Sequence, residues 1–313
     1  MGVIPAESSV ERVRHAEPTI YFVLCPSYHG ATLLSLLLNN HSKVLCLGDT
    51  NPTRSFDQIC SCGAKVSACE FWTSVRGLTG PYSGDDLPNL LPRYPYLSRS
   101  KALNHGLNTA LSLSANAFGA SAWRVAGKPA RNFRGTYAGF LGLCQSWVAH
   151  RAFVDGEKSL VKFMAVASMG FPVNGVIHLT RDPRGFLHSA RKYLPDWSTE
   201  ELVSAWAVQH GRIRRLIGKF DRVPSMTLRY EDLAERPQVV MANISGFMGL
   251  APEEVVRAPT VARKHHLIGN NMLRAFDGTV RTDNTWQTGL SVQDQEFALR
   301  GTGHLAGLFG YDA

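Results

Sequence analysis

The 313-residue sequence has no apolar run of the ~18–20 residues needed to cross a bilayer. Its first stretch, Met1–Pro18, is polar and mixed in charge, without the apolar core of a secretory leader. No run of lysine and arginine stands out, and neither a basic stripe nor a recognition motif supports nucleic-acid binding. No internal repeat or low-complexity tract is present. The pattern G-x-x-x-x-G-K-[ST] is missing as well, which argues against a nucleotide kinase or GTPase. The expectation is a soluble, cytoplasmic chain without a membrane span.

What is present suits a large folded unit. Hydrophobic residues make up 44% and charged residues 19%, an ordinary globular balance. The net charge of +8 raises the expectation of an anionic partner without choosing one. Six cysteines, Cys25, Cys46, Cys60, Cys62, Cys69 and Cys144, are expected as thiols in a reducing compartment.

Hydrophobic patterning predicts strands at 19–25, 43–47, 153–154, 175–180 and 225–228. Helices are expected at about 31–38, 98–117, 133–151, 159–169, 184–193, 199–219 and 237–248, Pro183 favouring the start of one of them. Residues 50–95 read as a long excursion with little regular structure, and 251–313 as a mixed segment wrapping back on the domain. Strands alternating with helices give an α/β class: a P-loop-type three-layer fold with a mainly parallel central sheet flanked by helices. The expected organisation is a flexible extension over 1–18 and one domain over 19–313, with an acceptor-binding or lid insertion at about 50–130. Ligands of such sheets bind beyond the carboxyl ends of the strands. Gly30, Asp49, Lys158, Arg181 and Tyr230 each follow a predicted strand and should converge on one rim.

Tyr28-His29-Gly30-Ala31-Thr32 joins the first strand to an apolar helix. A helix start offers unpaired N–H groups to an anion, Gly30 permits close approach, and the Thr32 hydroxyl can donate to a phosphate oxygen. The stretch resembles the 5′-phosphosulfate loop of the nucleotide-dependent sulfotransferases, and the chain as a whole resembles their bacterial branch, related to tyrosylprotein-type enzymes. Gly30 and Thr32 match that loop. Tyr28 stands where the family carries a cation, and His29 and Ala31 replace hydroxyl residues.

Arg181-Asp182-Pro183-Arg184, with Ser189 two turns along the next helix, resembles the family's 3′-phosphate motif. An arginine fork and a hydroxyl suit a phosphate. Leu228-Arg229-Tyr230-Glu231-Asp232-Leu233 resembles a further family segment that sets Tyr230 near the adenine. His266-x-x-x-Asn270-x-x-x-Arg274, followed by Asp283-x-x-Trp286, resembles a C-terminal loop closing over the nucleotide, which makes Asn270 and Arg274 ligand candidates. The resemblance covers about residues 19–309. It implies transfer of a sulfuryl group from 3′-phosphoadenosine-5′-phosphosulfate to a hydroxyl or amine of a small-molecule, carbohydrate, lipid or peptide acceptor, with no metal required.

Such a transfer needs a base for the acceptor proton and a cation at the leaving phosphate. Asp49 is the first candidate base, its place matching a glutamate in related enzymes. Burial must raise it, because an ordinary aspartate titrates near ~3.9. His29, inside the anion loop, is the second. Lys158 is the candidate cation: Asp155-Gly156-Glu157-Lys158 resembles a family segment whose lysine lies at the transfer site. Cys60-x-Cys62-Gly63 with Cys69 and Phe71-Trp72 resembles a segment of the bacterial branch. Free thiols, a disulfide, or a structural zinc completed by a fourth ligand all stay open there, C-x-C being less favourable than C-x₂-C. Two other functional readings also stay open: a catalytically weak nucleotide-binding protein on the same fold, suggested by Tyr28, and a P-loop phosphotransferase.

Overall fold

The computed structural model describes residues 18–50, 58–79, 93–254, 264–268 and 280–311. Asn270 and Arg274 lie outside them, as does the N-terminal extension apart from Pro18. Strands β1 (Thr19–Leu24), β2 (Val44–Cys46), β4 (Ala152–Asp155), β5 (Val173–Thr180) and β6 (Ser225–Arg229) form one sheet in the order β2-β4-β1-β5-β6. Every pairing in it is parallel.

An all-parallel sheet buries both faces, so its strands read as continuous apolar runs. β1 is such a run, and its alternate residues serve opposite layers. Ile20, Phe22 and Leu24 join a core with Phe153, Phe163 and Val176. Tyr21, Val23 and Cys25 face the other way, onto Leu33, Leu34 and Leu37 of α1 (Ala31–Leu38). Helices α2 (Glu70–Thr79), α3 (Lys101–Phe118), α4 (Gly127–Trp147) and α5 (Leu160–Ser168) give residues to the first layer. Helices α8 (Tyr230–Glu235) and α9 (Pro237–Phe247) give residues to the second.

A third cluster joins α6 (Pro183–Arg191) and α7 (Thr199–Lys219) to α10 (Trp286–Gly289), α11 (Val292–Thr302) and α12 (His304–Leu308). The described part of the C-terminal segment from Trp286 onward therefore packs back on the domain. Local chemistry sets the helix starts. Pro183 sits in the first turn of α6 behind Asp182, whose side chain accepts from the Arg184 N–H. Ser198 and Glu201 form a reciprocal capping box at α7.

The excursion at 50–95 is more ordered than expected. Its described part holds β3 (Ile59–Cys60), a 3₁₀ turn at Val66–Ala68, and α2. Phe71, Trp72 and Val75 are fully buried, and this apolar face drives α2 into the core. β3 pairs antiparallel with β7 (Leu267–Ile268) in a separate two-stranded ribbon. Among the described residues no helix is long and apolar enough to cross a membrane.

Gly48 turns the chain after β2 with φ at 77°, a left-handed conformation that suits glycine. A Cβ there would lie 2.6 Å from Nε2 of His266, which is itself buried. Gly48→Ala is therefore expected to destabilise the fold by about 1–3 kcal/mol, from backbone strain and overlap together. A urea-unfolding midpoint equal to that of the parent would contradict this packing.

Candidate functional site

Parallel pairing decides which side chains meet. β2 and β4 pair in register, Val44 with Ala152 and Cys46 with Val154. The loops leaving them then turn at the same height. A Cβ on Gly156 would lie 2.8 Å from the Gly48 carbonyl oxygen, so the two turns touch through glycine. The residues just beyond, Asp49 and Lys158, form an ion pair at 2.7 Å. The candidate base and the candidate cation thus come together. Lys158 has φ at 65°, outside the usual range for a residue with a side chain.

The burial asked of Asp49 is not found. Its side chain is 39% exposed and Lys158's is 20% exposed. A pair this open is worth at most about 1 kcal/mol to the fold. Its position at the carboxyl rim matters more than its stabilising energy.

Beneath this pair lies a group that sequence reading did not identify. Lys162, fully buried on α5, is 2.8 Å from both Asp155 and Glu157, and Arg93 also pairs with Glu157. Burial alone would lower the ammonium pKa, but Asp155 and Glu157 outweigh it and hold it above the ordinary lysine value. Two carboxylates and two cations thereby fix the β4–α5 turn that carries Lys158.

The anion loop and the arginine segment meet one strand pair away. Gly30 adopts φ 82° and caps α1 without a side-chain cap. A Cβ at Gly30 would lie 2.3 Å from the Tyr230 ring. The Arg181 guanidinium stacks on the same ring at 4.6 Å. It also donates to the Tyr28 carbonyl and to Asp283, each at 2.8 Å. Burial would raise the Asp283 pKa, but Thr285 and Arg181 outweigh it and hold that carboxyl below its usual range.

Arg181 Nε passes 3.1 Å from where a Cβ on Gly185 would stand, so the side chain lies along the first turn of α6. Gly185 and half-buried Ser189 are four residues apart and share one face of that helix. Arg184 stacks on Trp286 at 4.4 Å, which ties the C-terminal segment to the same motif. Ala31 and Thr32 are half-buried at the start of α1.

Tyr28 and His29 turn in different directions. The Tyr28 ring stacks on Tyr193 with centroids 5.3 Å apart and planes 9° apart. It brings no charge to the loop, and its backbone is left-handed at φ 66°. His29 is buried. Its Nδ1 meets the Ser27 carbonyl at 2.8 Å, and a ring nitrogen in that contact must carry the proton and donate it. Its Nε2 then accepts from His210 Nε2 at 2.8 Å. His210 Nδ1 in turn accepts from His178 Nε2 at 2.9 Å. Three neutral imidazoles form one inward chain, which occupies the nitrogen His29 would need as a base. Burial lowers all three: His29 and His178 are pushed down to about 3, and His210 further.

Of the sequence candidates, Tyr28, His29, Gly30, Arg181 and Tyr230 form one contact group, Asp49 and Lys158 another, and both follow strand ends of the same sheet. Asp283, Lys162, His178 and His210 complete these groups. Of these four, the sequence pointed to Asp283 alone, through its spacing to Trp286.

The sheet and this rim define an α/β protein with a glycine loop and a buried arginine on adjacent strand ends. The sequence profile described as "Sulfotransferase family" matches residues 87–254, and the chain belongs to that family. The match begins past the Tyr28–Thr32 loop and includes Lys158, Arg181, Ser189 and Tyr230. No curated protein sequence matches. Among solved structures, the chain is similar to the sulfotransferase domain of the Synechococcus PCC 7002 olefin synthase, with 18% identity, TM-score 0.46, and 96% of this chain and 98% of that one covered. For the sulfotransferase domain from the curacin biosynthetic pathway the values are 16%, 0.49, 94% and 98%. For a sulfotransferase from Mycobacterium avium they are 14%, 0.42, 95% and 77%.

The histidine chain has a pH signature. Unfolded histidine binds a proton near pH ~6.5, whereas folded His29 and His178 stay neutral down to about 3. The unfolded state therefore takes up more protons below neutrality, and stability falls as pH falls through this window. Unfolding free energy should drop by about 1.4 kcal/mol per buried histidine between pH ~7.5 and ~5.5, above the carboxylate range. A stability flat across that window would contradict the neutral chain.

Proposed function

We propose that the protein transfers the sulfuryl group of 3′-phosphoadenosine-5′-phosphosulfate to a hydroxyl or amine acceptor by in-line displacement. The observation that carries this reading is the Asp49–Lys158 pair at the ends of β2 and β4, beside the anion loop that follows β1. Family membership supports the reaction class. The donor fits the residues at hand: the start of α1 offers backbone N–H groups without a side-chain cap, and Arg181 offers a buried planar fork. Arg181 with Ser189 would hold the 3′-phosphate, the Tyr28–Thr32 loop the 5′ end, and Tyr230 would border the adenine. Asn270 and Arg274 stay candidates for closing over the nucleotide.

In the transfer, the acceptor oxygen or nitrogen forms a bond to sulfur as the bond from sulfur to the phosphate oxygen breaks. The acceptor proton passes to the Asp49 carboxylate, which bound acceptor and donor would have to cover from solvent, since the protein alone leaves it 39% exposed. 3′-Phosphoadenosine-5′-phosphate leaves, its developing charge met by the Lys158 ammonium. The sulfuryl group carries less charge than a phosphoryl group, so no metal is assigned to this step. His29 holds the loop from behind, its Nε2 engaged by His210.

Incubation with sulfur-labelled donor and a panel of hydroxyl and amine acceptors tests the activity. Lys158→Ala is expected to lower turnover by roughly 100-fold or more while nucleotide affinity changes by less than about 3-fold. If affinity falls and turnover does not, Lys158 is a binding group and the assignment fails. Tyr28 supports a second reading, a nucleotide-binding protein with weak transfer, because its ring turns to Tyr193 and adds no cation. Under the primary reading Tyr28→Arg lowers transfer to the native acceptor. A gain of about 10-fold or more would favour the weak-transfer reading.

A further inference from the structure

Away from the transfer rim, Cys60, Cys62, Cys69 and His265 bring four ligand atoms within 4.8 Å of one another. Cys60 ends β3, and Cys62 and Cys69 lie between β3 and α2. The fourth comes from the segment 264–268, nearly two hundred positions downstream. His265 Nδ1 is 3.4 Å from Cys69 Sγ and 3.6 Å from Cys60 Sγ. Cys62 Sγ is 3.7 Å from Cys69 Sγ. All six cysteines of the chain carry unbridged thiols.

These separations are the edges of a coordination tetrahedron. Zinc bonds of about 2.3 Å to sulfur and about 2.0–2.1 Å to nitrogen place ligand sulfurs about 3.8 Å apart, and sulfur about 3.6 Å from nitrogen. The surroundings hold the imidazole in place. Its ring stacks on Phe71, centroids 4.9 Å apart and planes 15° apart, with Trp147 edge-on at 5.4 Å. Trp72 Nε1 donates to the His265 carbonyl at 3.1 Å. His265 takes φ 51°, a costly conformation for a residue with a side chain, and this turns Nδ1 to the thiols. Gly63, at φ 92°, turns the chain sharply after Cys62, so the short C-x-C spacing can still present two sulfurs. Cys62 is exposed and gives an ion a way in, whereas Cys60 and Cys69 are buried.

We propose that Cys60, Cys62, Cys69 and His265 bind one Zn²⁺ in a closed structural site. Three soft thiolates and an imidazole in tetrahedral array select zinc over the hard oxygen-seeking cations. Binding displaces three thiol protons to solvent and leaves the site with one net negative charge, His265 coordinating through its unprotonated Nδ1. The site is a staple. It fastens the β3–α2 turn to the strap that carries His266, whose Nε2 is 2.9 Å from Ser35 Oγ of α1 and lies against Gly48. The ribbon bond from the Ser61 N–H to the His266 carbonyl, 2.8 Å, runs between neighbours of the ligands. The metal thereby braces the helix behind the anion loop and the turn before Asp49, without touching either.

The test is metal analysis of the full chain purified without chelator from zinc-supplemented cells. About one zinc per chain is expected, with an X-ray absorption shell of three sulfurs and one nitrogen. Cys62→Ser and His265→Ala should each lower the zinc content severalfold, and stripping the metal should lower Tm by roughly 5 °C or more. Because the variants could misfold, the wild-type spectrum decides independently. The proposal is overturned by wild-type protein with less than about 0.2 zinc per chain and six titratable thiols, by a metal shell without sulfur, by a Cys62–Cys69 disulfide, or by a Tm that stripping does not change.

Discussion

The in-register parallel pairing of β2 with β4 is the constraint on which the rim depends. It sends two chain segments off the sheet side by side, and the contact of Gly156 with the Gly48 carbonyl lets them stay close. Asp49 and Lys158 meet as a consequence. The ion pair is too exposed to stabilise the fold much. The buried network below it, Lys162 with Asp155 and Glu157, is a poor way to gain stability too, since desolvating such charges offsets most of their attraction. Both fix one turn geometry at the carboxyl rim of the sheet, where the proposed transfer would take place.

Backbone strain points the same way. Among the described residues, the non-glycine positions with positive φ are Tyr28, Lys158 and His265. One lies in the loop after β1, one at the ion pair and one in the thiol cluster. Such conformations cost of order 1–3 kcal/mol each and persist where surrounding contacts over-determine them. Tyr28 is held through its carbonyl by Arg181, Lys158 by Asp49, and His265 by Phe71, Trp72 and Trp147.

The sheet was legible because its strands are buried on both faces and read as apolar runs of the right length, with β1, β2, β4, β5 and β6 close to their expected bounds. The rim followed from topology, since each candidate is placed by the strand before it. Three things were hidden. α2 was masked by the Pro- and Gly-rich neighbours of Phe71 and Trp72, whose burial depends on α4 and the core. The inward course of His29 depends on His178 and His210, which lie on other elements and carry no motif. The fourth member of the thiol cluster is remote in sequence, so spacing around Cys60 and Cys62 made a metal look unfavourable until the fold supplied His265.

In the proposed function one adenosine compound is gripped at both phosphate ends, by the Gly30 loop and by Arg181 with Ser189. Calorimetric titration with adenosine 3′,5′-bisphosphate and with adenosine 5′-monophosphate tests it most directly. The 3′-phosphate is expected to tighten binding by about 100-fold, and Arg181→Ala to abolish the difference. Equal affinities for the two nucleotides in the native protein would contradict it.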